Sequence, residues 1–200
     1  MERKVIIAGT LVSAPTYKYP EGISLPKPYV IISTKRLSGV EDFVQVLVPN
    51  SWGQILTVGQ KICIHGSLTS ASLTNSRGKR RLLLFVNADN IDKYTEDLDT
   101  VYDTLIVCKK PIVRETPLGR CVADVLFTES NNRGNIYVPA ILWDKLAQSI
   151  GDKPCGTKVF VRGRIQSRAY TQQCADGNYM RTINELSVNY YKEVLEDESV

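Results

Sequence analysis

The chain repeats itself, and this limits its folds more than any other feature. Val58-Gly59-Gln60-Lys61-Ile62-Cys63-Ile64-His65-Gly66-Ser67-Leu68 runs parallel to Cys155-Gly156-Thr157-Lys158-Val159-Phe160-Val161-Arg162-Gly163-Arg164-Ile165. Both read x-G-x-K, then apolar residues alternating around a basic residue and a second glycine. An apolar run and a tryptophan precede each copy: Phe43 to Val48 before Trp52, and Ile136 to Leu142 before Trp143. A polar, basic hairpin loop and another apolar run follow each. Self-similarity at a fixed offset marks a duplicated domain. The expected repeats are residues 1–98 and 99–200, joined by the acidic stretch Thr95 to Thr100.

Each repeat is about 100 residues of short alternating runs, such as Tyr29 to Ser33, Ile62 to Leu68, Arg81 to Val86, Arg120 to Phe127 and Val159 to Ile165. Ser38-Gly39, Asn75 to Gly78, Asn132 to Asn135 and Asp176 to Asn178 supply turn residues between them. One helical signal per repeat follows the tryptophan. In the second repeat it is Trp143 to Ile150, with Leu146 and Ile150 four apart and Gly151 as a stop. Five strands with a short helix after the third is the OB pattern. The expected fold is therefore all-β: two tandem five-stranded OB barrels, each with a short helix.

Composition narrows the function. The hydrophobic fraction of 43% supports a core, and the charged fraction of 23% argues against disorder. No run approaches the roughly 18 apolar residues of a membrane helix. The N-terminus lacks the apolar stretch and cleavage site of a signal peptide, so a cytoplasmic protein is expected, with no membrane partner. The five cysteines are odd in number and scattered, and His65 is the only histidine, so neither a metal nor a cofactor is expected. The carboxylates are dispersed rather than clustered as metal-dependent nuclease chemistry requires. No enzyme is expected. The net charge of +4 permits a polyanionic partner without demanding one.

Strand alternation then separates faces. From Val159 to Arg168 the odd positions are apolar or small. The even positions, Phe160, Arg162, Arg164, Gln166 and Arg168, form a basic outer row. Such a row either tracks phosphates or is a solvated strand edge guarded against aggregation. Tyr170 directly after it favours nucleic acid, since base stacking needs an aromatic beside the charge. Tyr137 and Trp143, six apart, share a face. Inward they would be core, but Val138, Ala140 and Leu142 already fill the other side, which favours the outward placement. The first repeat offers Cys63, His65, Ser67 and Thr69 in its matching row, then Ala71 and Leu73, with Phe43 as its upstream aromatic. Its charge sits in the hairpin tip Arg77, Lys79, Arg80 and Arg81, which either grips a backbone or is only solvated.

Gly163-Arg164-Ile165-Gln166-Ser167-Arg168-Ala169-Tyr170-Thr171, followed by Asp176-Gly177, resembles the G-R-x-x-x-R-x-aromatic-T stretch of bacterial single-stranded DNA-binding proteins. Tyr137 to Ala147 resembles their third strand and helix start. The resemblance covers most of the second repeat. It implies an OB fold, sequence-tolerant binding of single strands in replication, repair or recombination, and stacking roles for Tyr137, Trp143 and Tyr170. It also implies assembly of four OB domains. That family has one domain per subunit, so a homodimer of this tandem chain would supply four. Replication and repair proteins are the implied partners, although the acidic end Glu193 to Val200 lacks the family's terminal proline and phenylalanine. A primosome-type accessory OB protein, acting mainly through protein partners, is the alternative reading. The second repeat is expected to dominate binding.

Overall fold

The computed structural model describes residues 4–19, 23–74, 78, 80–131, 134–174 and 177–195; the side chains of 23, 130, 131, 134, 170–174 and 177–181 lie outside the description. The chain divides into two compact units. One comprises Val5–Asp99 with Ile165–Glu185; the other is built on Thr100–Arg164 and the strand residues from Leu186 onward.

The first unit contains β1 (Lys4–Leu11), β2 (Thr16–Tyr19), β3 (Ile23–Lys35), β4 (Glu41–Leu47), a 3-10 helix (Asn50–Gln54), β5 (Lys61–Thr74) and β6 (Arg80–Asp92). Their order is β2-β3-β4-β6-β5-β1, and β1 closes back on β3 through Thr10↔Ser33 and Leu11↔Ile32. β4 and β6 run parallel. The second unit contains most of β7 (Leu98–Val107), β8 (Ile112–Glu115), β9 (Cys121–Asn131), β10 (Gly134–Trp143), α1 (Asp144–Gly151), β11 (Lys158–Cys174) as far as Arg164 and β12 (Gly177–Glu193) from Leu186. The order is β7-β11-β12-β10-β9-β8, with β7 closing on β9 and β10 parallel to β12. Leaving out the short β2 and β8, both units are five-stranded closed barrels of one topology. This is the OB architecture expected from the sequence.

The repeated motif has a physical role in that closure. Leu11 and Gly59 exchange hydrogen bonds around the barrel mouth, Leu11 N–H to the Gln60 carbonyl at 2.8 Å and Gly59 N–H to the Leu11 carbonyl at 2.8 Å. Val107 and Gly156 do the same, with Val107 N–H on the Thr157 carbonyl at 2.9 Å and Gly156 N–H on the Val107 carbonyl at 2.9 Å. Both glycines are left-handed, with φ of 88° and 91°, a region that costs other residues energy. The motif's second glycines match as well. A Cβ on Gly66 would meet the Asn87 carbonyl, and one on Gly163 the Ser187 carbonyl.

Inward residues alternate as expected. Ile7, Ile32, Val46, Ile64 and Val86 are fully buried in the first unit, and Leu105, Phe127, Val138, Leu142, Val159 and Val161 in the second. One expectation needs correction. The first repeat has no α-helix after its tryptophan: a five-residue 3-10 helix contains Trp52, buries none of its side chains, and carries Gly53, a poor helix former. In α1, where the sequence placed a helix, the buried residues are Ala147 and Ile150. The connecting stretch Thr95 to Thr100 is partly structured. Leu98 already starts β7, Asp97 accepts the Lys35 N–H at 2.9 Å, and Asp99 accepts the Ile165 N–H at 2.9 Å.

The first unit also has a second apolar cluster, made by Tyr19, Leu25, Tyr29, Leu83 and Phe85. The rings of Tyr19, Tyr29 and Phe85 lie 5.5–6.3 Å apart, tilted or edge to face. Ile31, Leu47, Ala71, Leu73 and Ile183 pack around them. Ala71 and Leu73, read as outer positions of the first repeat, are therefore packing residues.

Candidate nucleic-acid interface

The outward residues of the second unit gather into two groups. The first lies on β8, β9 and β10. Arg114 is paired with Val122, and Val122 with Trp143, so the three stand in one row across the strands. Trp143 is half-buried, and the Arg120 guanidinium stands 4.7 Å from its ring centre. The same guanidinium bonds Asp144 at 2.7 Å, while Arg114 bonds Asp124 at 2.7 Å. Asp144 turns the chain from strand into helix at a φ of 52°. Aspartate tolerates that left-handed geometry better than most residues. The hydrogen bond from Arg120 lowers the Asp144 pKa and raises that of Arg120.

Tyr137, on the same strand and opposite Thr128, is exposed. The face between it and Trp143 is not uniformly outward, however. Ile141 is 1% exposed where β10 is flanked on both sides, by Asp124 of β9 and Ser187 of β12.

The second group lies on β7, β11 and β12. The alternation from Val159 holds: Val159, Val161 and Gly163 are buried, Phe160 and Arg164 are half-buried, and Arg162 is exposed. Tyr102, opposite Arg162 in the β7–β11 ladder, stacks on Phe160 with ring centroids 6.4 Å apart and 18° between planes. Tyr190 meets Phe160 edge to face at 6.5 Å. The Arg162 guanidinium lies 5.8 Å from the Tyr190 ring centre and donates to Asn189 at 3.4 Å. A guanidinium over an aromatic face is attractive, and it leaves N–H groups to bind an anion.

The expected basic row is divided. Arg162 and Arg164 belong to the second unit, whereas Arg168 belongs to the first, because β11 passes from one to the other at Arg164. Arg168 also bonds Glu185 at 2.7 Å, and Glu185 takes the Gln166 amide at 2.7 Å. In the first-repeat hairpin, Arg80 donates to Ser72 at 2.6 Å and Arg81 is half-buried. Arg77, Lys79 and the Tyr170 side chain lie outside the described residues. Cys63 sits 3.9 Å from His65, and Cys63, Cys108, Cys121 and Cys155 are free thiols. Among the described residues no cluster of three or more potential metal ligands occurs, and no helix is long and apolar enough to cross a membrane.

Sequence reasoning missed Tyr102, Arg114, Arg120 and Tyr190. Alternation of Val101, Leu105 and Val107 would have turned Tyr102 outward. Arg114 and Arg120 needed the four-residue β8, which is too short to carry a periodic signal.

The fold defines an all-β protein of two tandem OB barrels. It is similar to two crystal structures of the single-stranded DNA binding protein from Thermus aquaticus. The wild-type structure has a TM-score of 0.75 at 20% identity over 100% of this chain and 96% of that one. A deletion mutant with a further substitution has a TM-score of 0.72 at 21% identity over 98% and 96%. No family model and no curated protein matches the chain.

Proposed function

We propose that this protein binds single-stranded DNA without catalysis, chiefly through the second repeat. One observation carries the reading: on the outer face of the second unit, guanidinium groups stand over aromatic rings, Arg120 over Trp143 and Arg162 over Tyr190. Bases offer π-faces and the backbone offers phosphates, so rings joined to fixed cations suit an unpaired strand and have little to grip in a stacked duplex. Tyr137 adds an exposed ring on the strand that carries Trp143. The first repeat has Cys63 and His65 where the second has Phe160 and Arg162, its Tyr19, Tyr29 and Phe85 rings are packed against each other, and the cation over its Tyr94 is the Lys61 ammonium at 5.0 Å rather than a guanidinium. The likeness to the Thermus aquaticus structures supports the same reading, since those are single-stranded DNA binding proteins.

In this reading residues 1–98 and 99–200 are the two OB repeats, two chains associate so that four barrels act together, and the setting is DNA replication, repair or recombination in the cytoplasm, at the nucleoid. Tyr170, Arg77 and Lys79 are further candidates for contact. Titration of oligo-dT and of a duplex of equal length, at several salt concentrations, tests the reading. The expected result is binding to the single strand alone at moderate salt, with a log–log slope of about −0.7 per phosphate contact. Equal or tighter binding to the duplex overturns it.

A further inference from the structure

β11 and β12 are 17 residues each, far longer than a barrel needs. Their outer halves, Ile165–Glu185, form an arm of the second repeat that belongs to the compact unit of the first. A two-stranded ribbon standing alone in water is marginal at best. Here it is held by buried polar groups of β4. Asp42, 1% exposed, accepts the Ser167 N–H on Oδ1 at 2.8 Å, while Arg36 donates to both oxygens of the same carboxylate. The Ser167 hydroxyl accepts the Phe43 N–H at 3.0 Å. Asn184, 4% exposed, brackets the strand: its oxygen takes the Gln45 N–H at 2.8 Å and its amide donates to the Phe43 carbonyl at 2.9 Å. The Gln45 side chain, also buried, donates to the Thr182 carbonyl at 3.3 Å. Ile183 adds an apolar contact with the Tyr19–Tyr29–Phe85 cluster.

Gln45 Oε1 is buried without a hydrogen-bond partner, but the other polar groups of the seat are paired, and losing those partners would be costly, so the seat favours one position of the arm. The arm carries Arg168, whose side chain remains 47% exposed although Glu185 holds part of it. Tyr170 follows on the same strand.

We propose that the first repeat contributes to single-strand binding as the seat that orders the second repeat's arm, with Asp42, Gln45 and Asn184 as positioning residues that do not touch the nucleic acid. The proposal rests on the functional reading above. A seated arm meets the strand already ordered, whereas a loose one must be ordered in the complex, which weakens binding.

The test uses the full chain and two variants. Asn184→Ala removes the bracket; Ser167→Ala removes one hydroxyl and is the gentler change should the first misfold. Hydrogen exchange reads the arm amides, and fluorescence anisotropy reads the affinity for labelled oligo-dT across salt. The expected result is faster exchange confined to residues 165–185 and affinity lower by roughly fivefold. The salt slope stays unchanged because no phosphate contact is removed. Faster arm exchange with unaltered affinity overturns the proposal while the functional reading stands. Unchanged arm exchange in both variants overturns the seat itself. Failure of the unmodified chain to bind oligo-dT overturns both.

Discussion

Arg120 spans from the ring of Trp143, 4.7 Å from its centre, to the carboxylate of Asp144, which it bonds at 2.7 Å. Adjacent residues at the end of β10 thus hold one guanidinium between a π-face and an anion. The Arg120 and Asp144 side chains are both more than half exposed, so this tie positions the cation more than it stabilises the fold.

The depressed Asp144 pKa gives the tie a pH signature. A carboxylate stabilised in its charged form keeps the tie intact above the ordinary aspartate range. The tie is lost only as pH falls through the lowered value. Trp143 fluorescence, read in a Trp52→Phe background, should therefore step at a pH below the usual aspartate value of about 3.9. Asp144→Asn should abolish the step. A transition at or above the usual value would show that Arg120 does not hold Asp144 in solution.

Trp143→Ala and Tyr137→Ala should each weaken binding to oligo-dT by about fivefold or more, since a stacked base is worth roughly 1–3 kcal/mol. Phe43→Ala should cost less affinity. Comparable losses from Phe43 and Trp143, in variants whose circular dichroism matches the parent, would show that the two repeats share the contact equally.

Arg162→Ala should flatten the salt dependence by about 0.7 on a log–log plot, the amount expected for one phosphate on a single strand. The measurement is a titration at four or more salt concentrations. An unchanged slope would assign Arg162 to packing on Tyr190 alone.

The glycines of close approach make a stability prediction that is independent of ligand. Gly66→Ala and Gly163→Ala each drive a methyl group into a neighbouring strand's carbonyl, so each should lower stability by about 1–3 kcal/mol in urea unfolding. Gly53→Ala, with open space around it, should be near neutral.

Light scattering should give twice the chain mass at micromolar concentration. A monomer with and without DNA would remove the four-barrel assembly from the proposed function.

Much of the framework was legible because it depends on local chemistry. Gly59 and Gly156 mark the same turn, Gly66 and Gly163 the same strand crossing, and the alternation from Val159 places Arg162 outward. The ends of β5 and β11 were not legible. β5 continues through Ser70 to Thr74 and β11 beyond Arg168 to Cys174, residues without apolar alternation in long hairpins. The seat of the arm was hidden for another reason. Asp42 and Asn184 read as surface residues; Asp42 has Arg36 six positions away, but its bond to Ser167 and the bond of Asn184 to Phe43 join residues more than 120 positions apart. In the candidate site, the outward placement of Tyr137 and Arg162 was readable from periodicity, whereas Arg114 enters Trp143's row only through Val122, and Arg120 reaches the Trp143 ring from the turn after β8.

The matching closures at Leu11–Gly59 and Val107–Gly156 are made by main-chain atoms alone. A joint of that kind demands a glycine at its left-handed position but nothing of the outer row of the strand that follows. The two barrels thus behave as interchangeable sockets, in which Cys63 and His65 or Phe160 and Arg162 are fittings rather than framework. One chain can be re-tooled at either socket, with its outer row rewritten, while the geometry that presents the row is left standing.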